Sequence, residues 1–566
     1  MAEPGGNALI SVFDKTGIVD FAGGIHELGW NIYGSGGTAK QIGEAGIPVT
    51  DIAELVGGKA ILGHKVVTLS REVGAALLAD LNDADEMAEM ERNNLITIEM
   101  VVQDPYPLEE AIAKPDATPA SVLAATDIGG PTLLREIAKG ARILSELGTQ
   151  GRIVLSVAEQ RQMVLEWLQA GKPDEAEFIR LLAARAVYEV ARYTGIEAQY
   201  WNGDEVSITV ARKVADTKYG ENPQQVKAAL YADNRVNIDP LGLGEFKHVK
   251  GWELSYINET DIYRLRQTSA RIAAGFERNF SEVPPMAVGV KHGNACGAGV
   301  AETHSEAVKK MLEGDTRAIF GGVIMINGEI DAEVARVLMT HMMDGEDNRL
   351  LDGVIGASVT DEALELLSRK KLRVVINPAL GNLNEQSLDK NRQKRFVGDA
   401  VLEQDANMFV LDFAADHMDQ YGDLTNQQKR DLVLAWGVGS TSNSNTITIA
   451  KEGMIIGNGV GQQDRVGAGQ LALSRTTIEL PEFEDEGDSL IMKVRLDKKK
   501  LEGAVAYSDS FFPFADGPSL LVRAGIKAFL ATWNTEAHKE ILKEIHELGA
   551  SVAMMPDKIG RGFFGH

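Results

Sequence analysis

The chain of 566 residues contains one cysteine, Cys296, and fewer basic than acidic side chains. A single cysteine excludes a disulfide framework within the chain and is typical of a reducing compartment, so we expect a cytoplasmic protein. A zinc site would have to use histidine and carboxylates alone, and no HExxH spacing occurs. We therefore expect no metal and no tightly bound cofactor.

Long apolar runs are missing as well. No segment approaches the roughly 18 to 20 apolar residues that span a bilayer. The first residues, MAEPGGNALI, lack the basic and apolar regions of a secretory signal. We expect no membrane partner.

Positive charge is scarce. Lysine and arginine number 57 against 82 aspartate and glutamate residues, which gives a formal net charge of −25. Proteins that bind nucleic acid surfaces are usually basic, so nucleic acid is a disfavoured partner. An anionic small molecule would need a locally positive site, built from lysine, arginine and helix N-termini. Solubility is the alternative explanation for the excess negative charge.

The length of the chain predicts two to four domains. Apolar strands alternate with helical periodicity in the first part, which indicates a mostly parallel α/β sheet. The predicted strands are 8–13, 30–33, 96–103 and 152–157. An amphipathic helix over 174–200 closes this domain. We assign 1–200 to a first domain and 201–566 to a second.

The second domain contains two stretches of similar character, 286–313 and 433–475. Each has a strand, a glycine-rich turn and a long helix, which predicts two related subdomains over about 206–375 and 376–566. The acidic run 481–488 and the basic run 497–500 are interpreted as solvated connections.

The segment VKHGNACGAG places Lys291 and His292 at the end of an apolar strand and before glycine-rich backbone. Such a strand end can hold reactive side chains at a sheet edge. Lysine supplies a positive charge, and histidine accepts a proton near neutral pH. Adjacent strand residues point to opposite faces, so the two act together only if the strand ends or bulges here. An ordinary pair of surface residues is the alternative.

A glycine-rich turn, GSGGT at 34–38, follows a strand and precedes a helix in the first domain. Its backbone N–H groups can approach an oxyanion, and Thr38 adds a donor. Lys15 ends the preceding strand, where a second phosphate contact could lie. The segment DIGG at 127–130 again ends an apolar run and opens a helix that carries Lys139.

Six motifs in a fixed order carry a family resemblance. They are KYGENPQQ at 218–225, VKHGNACGAG at 290–299, AIFGG at 318–322, STSNSNT at 440–446, GNGVGQQDR at 457–465 and SDSFFPFADG at 508–517. The set resembles the C-terminal domain of bifunctional purine-biosynthesis enzymes, which join aminoimidazole carboxamide ribonucleotide (AICAR) transformylase to inosine monophosphate (IMP) cyclohydrolase. SVFDKTG, GSGGTAK and DIGGPTLLREIAK resemble the cyclohydrolase domain, so the resemblance covers essentially the whole chain.

The resemblance implies an α/β fold: a methylglyoxal-synthase-like αβα domain, then a transformylase domain of two cytidine-deaminase-like αβα subdomains. It implies formyl transfer from the cosubstrate 10-formyltetrahydrofolate to AICAR, followed by ring closure to IMP, in a homodimer that shares transformylase sites. Two alternatives stay open. The cyclohydrolase domain could be an inactive nucleotide-binding domain, or the whole chain a non-catalytic nucleotide-binding paralogue.

The resemblance also implies site residues. For catalysis, it makes His292 the proton acceptor and Lys291 the charge stabiliser of formyl transfer, and gives ring closure to Lys139. The AICAR-binding residues are Lys218, Tyr219, His292, Gly321, Asp352, Asn445, Arg465 and Arg561, where counting back from Ala450 favours Asn445 over Asn443. The folate-binding residues are Val466, Phe511 and Thr535, with core packing as the alternative for the phenylalanines of SDSFFPF. The IMP-binding residues are Asp14, Lys15, Ser35, Gly36, Gly37, Thr38, Lys65, Thr68, Tyr106, Asp127 and Ile128.

The sequence departs from the family pattern at both sites. Val67 stands where the family pattern has a lysine beside the nucleotide. A valine side chain can neither donate a hydrogen bond to a phosphate or carbonyl oxygen nor relay a proton. Asp104 stands near an expected asparagine. We therefore expect ring closure to be weakened more than nucleotide binding. On the folate side, ATWNT at 531–535 replaces an expected Pro-Gly-Ser turn, which leaves folate or formate open as the formyl donor.

Overall fold

The computed structural model describes residues 5–58, 61, 66–146, 151–232, 239–316, 318–343, 348–477, 481–486 and 489–565, with the backbone alone at 142–146 and 486. Lys65, assigned to IMP binding, lies outside the described residues. The described chain forms two compact units, and the division along the chain falls between Arg212 and Lys213. The expected boundary at 200 falls inside a helix that continues to Asn202.

The first unit is a parallel α/β sheet in the order β3-β2-β1-β4-β5. Its strands are β1 Asn7–Val12, β2 Asn31–Gly34, β3 Thr50–Asp51, β4 Met100–Asp104 and β5 Ile153–Leu155. Its helices are α1 Ile18–Glu27, α2 Gly36–Glu44, α3 Ile52–Leu55, α4 Arg71–Leu78, α5 Ala84–Arg92, α6 Leu108–Ala113, α7 Pro119–Ala125, α8 Gly129–Glu146, α9 Gln160–Gln169 and α10 Glu175–Asn202. The chain leaves β1 for β2 on one side and returns to β4 on the other, so a crevice is expected at the carboxyl ends of β1 and β4.

The second unit is built on a mixed sheet of twelve strands, in the order β18-β25-β24-β23-β19-β20-β10-β9-β11-β13-β15-β8. Its strands are β6 Arg212–Asp216, β7 Ala229–Ala232, β8 Lys247–Lys250, β9 Met286–Lys291, β10 Asn294–Val300, β11 Val323–Ile326, β12 Glu329–Ile330, β13 Gly353–Gly356, β14 Ser358–Val359, β15 Arg373–Ile376, β16 Gln393–Val397, β17 Ala400–Gln404, β18 Asp419–Tyr421, β19 Ile447–Lys451, β20 Met454–Gly459, β21 Glu482–Glu486, β22 Ser489–Lys493, β23 Val505–Ser508, β24 Ala528–Trp533 and β25 Ser551–Pro556. Its helices are α11 Tyr256–Phe280, α12 His304–Gly314, α13 Ala332–Thr340, α14 Asp361–Leu366, α15 Asn426–Gly439, α16 Arg465–Ser474, α17 Lys498–Leu501, α18 Asp516–Ala524, α19 Glu536–Glu547 and α20 Asp557–Gly560.

The two halves of this sheet share one core. They join through antiparallel β10 and β20, where Gly299 pairs with Met454. The largest apolar cluster takes residues from α11, α15 and strands of both halves. The two expected subdomains therefore form a continuous sheet. The acidic run 481–488, expected to be a connection, contains β21, which pairs antiparallel with β22.

Strand directions bring many loops to one edge of the large sheet, which we call the site edge. Lys291 ends β9 opposite Asn294, the first residue of β10. Antiparallel β11 and its parallel neighbours β13 and β15 begin at this edge. In the other half, β19 begins there, and β20, β23 and β24 end there. Loops far apart in sequence therefore become neighbours.

Candidate active sites

The lysine–histidine pair occupies a tight hairpin turn at the site edge. Lys291 ends β9, His292 and Gly293 form the turn, and Asn294 begins β10. Both central residues have positive φ, 54° and 72°, as a type I′ turn requires. The strand thus ends at the pair, as concerted action by the two side chains requires. His292 is exposed, and Lys291 Nζ donates to the Phe320 carbonyl at 2.6 Å.

A buried carboxylate holds this turn from below. The Gly293 N–H donates to Asp261 Oδ1 at 2.8 Å, and Asp261 lies on the central helix α11. Burial raises the pKa of Asp261, while the Gly293 N–H and nearby His292 act in the opposite direction. Asp261 could not be singled out from the sequence, because α11 is buried on nearly all sides and shows no polar face that would mark a site.

Gly321 and Asp352 lie beside the turn. Gly321 has a φ of 75°, and a Cβ atom added there would lie 3.9 Å from Lys291 Nζ. The Asp352 N–H donates to the Gly322 carbonyl at 3.0 Å, and the Asp352 side chain is exposed. A glycine at this point lets a ligand approach the backbone closely.

A cluster of three cations forms at one end of the site edge. Lys218 Nζ lies 4.7 Å from the centre of the Trp252 ring, and Lys371 Nζ lies 4.8 Å from it. Arg373 interacts electrostatically with Asp352 and Tyr219, and burial lowers its pKa. Sequence reasoning found Lys218 and Tyr219 but missed Lys371 and Arg373. This cationic cluster, Lys218, Lys371 and Arg373, meets the need for local positive charge in an acidic protein.

Both candidate asparagines reach the site edge. Asn445 exchanges backbone hydrogen bonds with Gln462, and its Nδ2 donates to the Gln462 carbonyl at 3.1 Å. Asn443 N–H donates to Asn294 Oδ1 at 3.2 Å, and its Nδ2 donates to the Gly565 carbonyl at 2.5 Å. Asn443 is thus tied to the hairpin and to the C-terminal tail. The preference for Asn445 as the carboxamide ligand stays a prediction.

Arg465 is fixed by the end of β23. It begins α16, and its Nη1 donates to Asp509 Oδ1 at 2.5 Å and to Ser508 Oγ at 3.2 Å. Asp509 is fully buried, so the guanidinium of Arg465 is anchored by a carboxylate that sequence reasoning did not single out.

Of the folate-assigned residues, one directly follows Arg465 in the chain. Val466 is the next residue, and a Cβ atom on Gly517 would lie 3.9 Å from its side chain and 3.7 Å from Phe512. Phe512 is core and Phe514 is 70% exposed, while half-buried Phe511 stacks on His538 at 4.2 Å. Core packing therefore explains only Phe512. Thr535 caps α19 by accepting from the His538 N–H.

The C-terminal tail packs on its own chain. Phe564 lies over the Arg264 guanidinium at 4.9 Å, and its N–H donates to the Ser442 carbonyl at 3.0 Å. Arg561 forms an ion pair with Asp557. The described part of the tail is therefore held by side-chain and backbone contacts within its own chain.

In the first unit, the predicted anion site forms at the start of α2. Ser35 precedes this helix, and its Oγ lies 2.6 Å from Ser11 Oγ. Lys15 Cε would lie 3.9 Å from a Cβ atom on Gly37. The Thr38 hydroxyl is buried and donates to the Val12 carbonyl at 3.2 Å, so its role as a donor to a ligand stays a prediction. Gly36, Gly37 and Lys15 remain as anion-binding groups.

The DKTG turn is held by an ion pair that sequence reasoning missed. Arg161 Nη2 donates to Asp104 Oδ2 at 2.7 Å and to the Asp14 carbonyl at 2.7 Å. Asp104 also accepts from the Asp14 N–H at 3.2 Å. Burial raises the pKa of Asp104, against the hydrogen bonds and Arg161. The side chain of Asp104 therefore stabilises the DKTG turn.

Asp127 gathers the remaining IMP-assigned residues. Its Oδ1 accepts from the Gly130 N–H at 2.9 Å, and the Tyr106 N–H also donates to it. Burial raises its pKa, against these hydrogen bonds. A Cβ atom added at Gly129 would lie 3.2 Å from Thr68 Oγ1, so the two residues are close neighbours. Ile128 is 67% exposed. The edge of the sheet where β1 and β4 end thus brings these IMP-assigned residues close together.

Lys139 does not join that group within one chain. Ten residues of α8 separate it from Gly129, a rise of about 15 Å. Its neighbour Gly140 packs against Leu77 and Arg152, and Arg152 directly precedes β5. Lys139 therefore lies toward the amino ends of the strands, on the opposite edge from Asp127. The role of Lys139 in ring closure, which the family resemblance implies, stays a prediction.

Both units are α/β structures whose sheet edges carry cationic side chains or a glycine-rich helix N-terminus, an arrangement typical of enzymes for anionic substrates. Residues 150–475 match the family described as AICARFT/IMPCHase bienzyme, and residues 17–132 match the MGS-like domain. The chain belongs to the AICARFT/IMPCHase bienzyme family. This confirms the predicted family, the α/β fold with an MGS-like first domain, and the class of activity: an AICAR formyltransferase joined to an IMP cyclohydrolase in purine biosynthesis.

Relatives match along nearly the full length. The bifunctional purine biosynthesis protein PurH of Anoxybacillus flavithermus is 32% identical over 558 residues, covering 96% of this chain and 97% of the relative. PurH of Halalkalibacterium halodurans is 33% identical over 556 residues, covering 96% and 97%. A solved structure, "Crystal structure of ForH", is 29% identical, covers 35% of this chain and 99% of that chain, and has a TM-score of 0.30.

Proposed function

We propose that the site edge transfers a formyl group from 10-formyltetrahydrofolate to the 5-amine of AICAR. The observation that carries the proposal is the convergence of the Lys291–His292 turn, the cationic cluster and Arg465 on one sheet edge. The cationic cluster suits the AICAR phosphate, and Arg465 suits an anionic group of either substrate.

The chemistry follows from these positions. The 5-amine is conjugated with the ring and its carboxamide, so it is a poor nucleophile. His292 accepts its proton as the nitrogen attacks the formyl carbon. Lys291 keeps two N–H donors besides the one on Phe320 and stabilises the developing oxyanion. When the bond to N10 of the folate breaks, N10 takes a proton and tetrahydrofolate leaves.

The first test is turnover itself. We expect the protein to form tetrahydrofolate from AICAR and 10-formyltetrahydrofolate. The absorbance of tetrahydrofolate measures the rate. Free formate in place of the folate tests the alternative donor. An absence of turnover with both donors would leave the formyl-transfer proposal without support.

For the first unit we propose binding of a purine nucleotide monophosphate and closure of formyl-AICAR to IMP. The N-terminus of α2 with Lys15 suits the phosphate, and Asp127 suits the ring. Val67, where the family pattern has a lysine, packs partly against the apolar core. The proposed nucleotide pocket therefore lacks the positive charge that a lysine at position 67 would supply.

We also propose a cytoplasmic homodimer. Within the described residues, Lys139 is exposed on the edge opposite Asp127, so only a second copy could bring it to the nucleotide. The single cysteine suits the cytoplasm, and among the described residues no helix is long and apolar enough to cross a bilayer.

Sedimentation tests this assembly. We expect a dimer at micromolar concentration, with full activity. A monomer under the same conditions that is fully active in both reactions would contradict shared sites. Measurement across a range of protein concentrations serves as the control, because activity that depends on a dimer falls as the dimer dissociates.

A further inference from the structure

The ring pair Phe511–His538 stands out along the site edge. The two ring centres lie 4.2 Å apart, and the planes differ by 14°. Such a parallel contact fixes the orientation of both rings. Phe511 follows β23 and His538 lies in the first turn of α19, so the pair bridges two segments that leave the same edge.

Hydrogen bonding does not account for the position of His538. Its Nδ1 is buried and has no hydrogen-bond partner among the described residues, which is unfavourable for a ring nitrogen. Its backbone N–H is already satisfied by the cap residue Thr535. The contact that His538 does make is the stack on Phe511.

The stack covers one face of Phe511. The Phe511 side chain is only half-buried, and Val466, next to Arg465, lies in the same region through Gly517 and Phe512. A flat heteroaromatic ring on the outer face of Phe511 would extend the stack by one layer. The pterin ring of a reduced folate has this shape and chemistry.

We infer that His538 is a positioning residue for the formyl donor: it holds the Phe511 ring so that its outer face receives the pterin. This inference rests on the proposed folate donor. It also gives a role to the segment after β24, where the sequence departs from the family pattern. His538 touches Phe511 and not the reacting atoms, so its effect should be confined to the donor.

The experiment compares His538→Ala with His538→Phe. We expect His538→Ala to raise KM for 10-formyltetrahydrofolate and the dissociation constant for tetrahydrofolate by about 2- to 12-fold, the size of one aromatic contact. KM for AICAR and kcat should stay within about 2-fold of the wild type. His538→Phe keeps a ring in place and should restore donor affinity.

A matched control lies on the same helix. His546 stacks on Tyr421 at 6.2 Å and 22°, about 12 Å further along α19, and His546→Ala should leave both KM values unchanged. Equal affinity of wild type and His538→Ala for tetrahydrofolate, or a rise in both KM values together, would overturn the positioning role. Failure of the wild type itself to bind tetrahydrofolate by calorimetry would instead overturn the folate donor.

Discussion

Replacing His292 with asparagine should lower formyl transfer by about 10²- to 10⁴-fold, the usual contribution of a general base. Asparagine is the informative substitution, because the φ of 54° at this position is one that asparagine adopts readily and alanine does not. The hairpin and its hydrogen bond to Asp261 should therefore survive while the proton acceptor is lost. The measurement is kcat for tetrahydrofolate formation, with AICAR affinity measured by calorimetry.

His292→Ala is the comparison that separates chemistry from structure. If His292 serves only the turn, the asparagine variant should keep its activity and the alanine variant should lose both activity and thermal stability. If His292 is the base, both variants should lose turnover, while AICAR binding stays close to that of the wild type. Retention of turnover in His292→Asn would remove His292 from the mechanism.

The sequence predicted the first unit well because its signals are local. Short apolar strands alternate with helices, and the predicted strands 8–13 and 30–33 lie within a residue of β1 and β2. The strand β3 has only two residues, too few for a periodic pattern. In the second unit, the pairing of β10 with β20 joins segments about 150 residues apart. No local pattern encodes such a pairing.

Site residues could be predicted where the residue type itself indicates a chemical role. They were missed where the role depends on contacts between segments that are distant in the sequence. Lys291 and His292 were found because they interrupt an apolar strand. Asp261, Arg161 and Arg373 were missed because each acts through a contact with a distant segment. Lys139 is the opposite case. Its motif was recognised in the sequence, but the length of α8 places it far from Asp127.

The second large effect concerns ring closure in the first unit. Asp127→Asn should reduce IMP formation from formyl-AICAR by about 10- to 100-fold, because a neutral amide makes a weaker hydrogen bond to the ring than the carboxylate does. Asparagine can still accept from the Gly130 N–H, so α8 should still begin in the same place. Val67→Lys tests the missing cation: activity gained only in this variant would show that the wild-type site is disabled.

Lys139→Ala decides how the site is assembled. If Lys139 serves the nucleotide of a second copy, this variant should also lose ring closure, and mixing it with Asp127→Asn should restore activity. Half of the randomly exchanged dimers are mixed, and each mixed dimer has one intact site of two, so about a quarter of wild-type activity should return. Loss without recovery would mean that Lys139 reaches its own chain's site, against the helix geometry. Full activity of Lys139→Ala alone would mean that it takes no part, and equal rates in wild type, Lys139→Ala and Val67→Lys would mean that the site lies elsewhere.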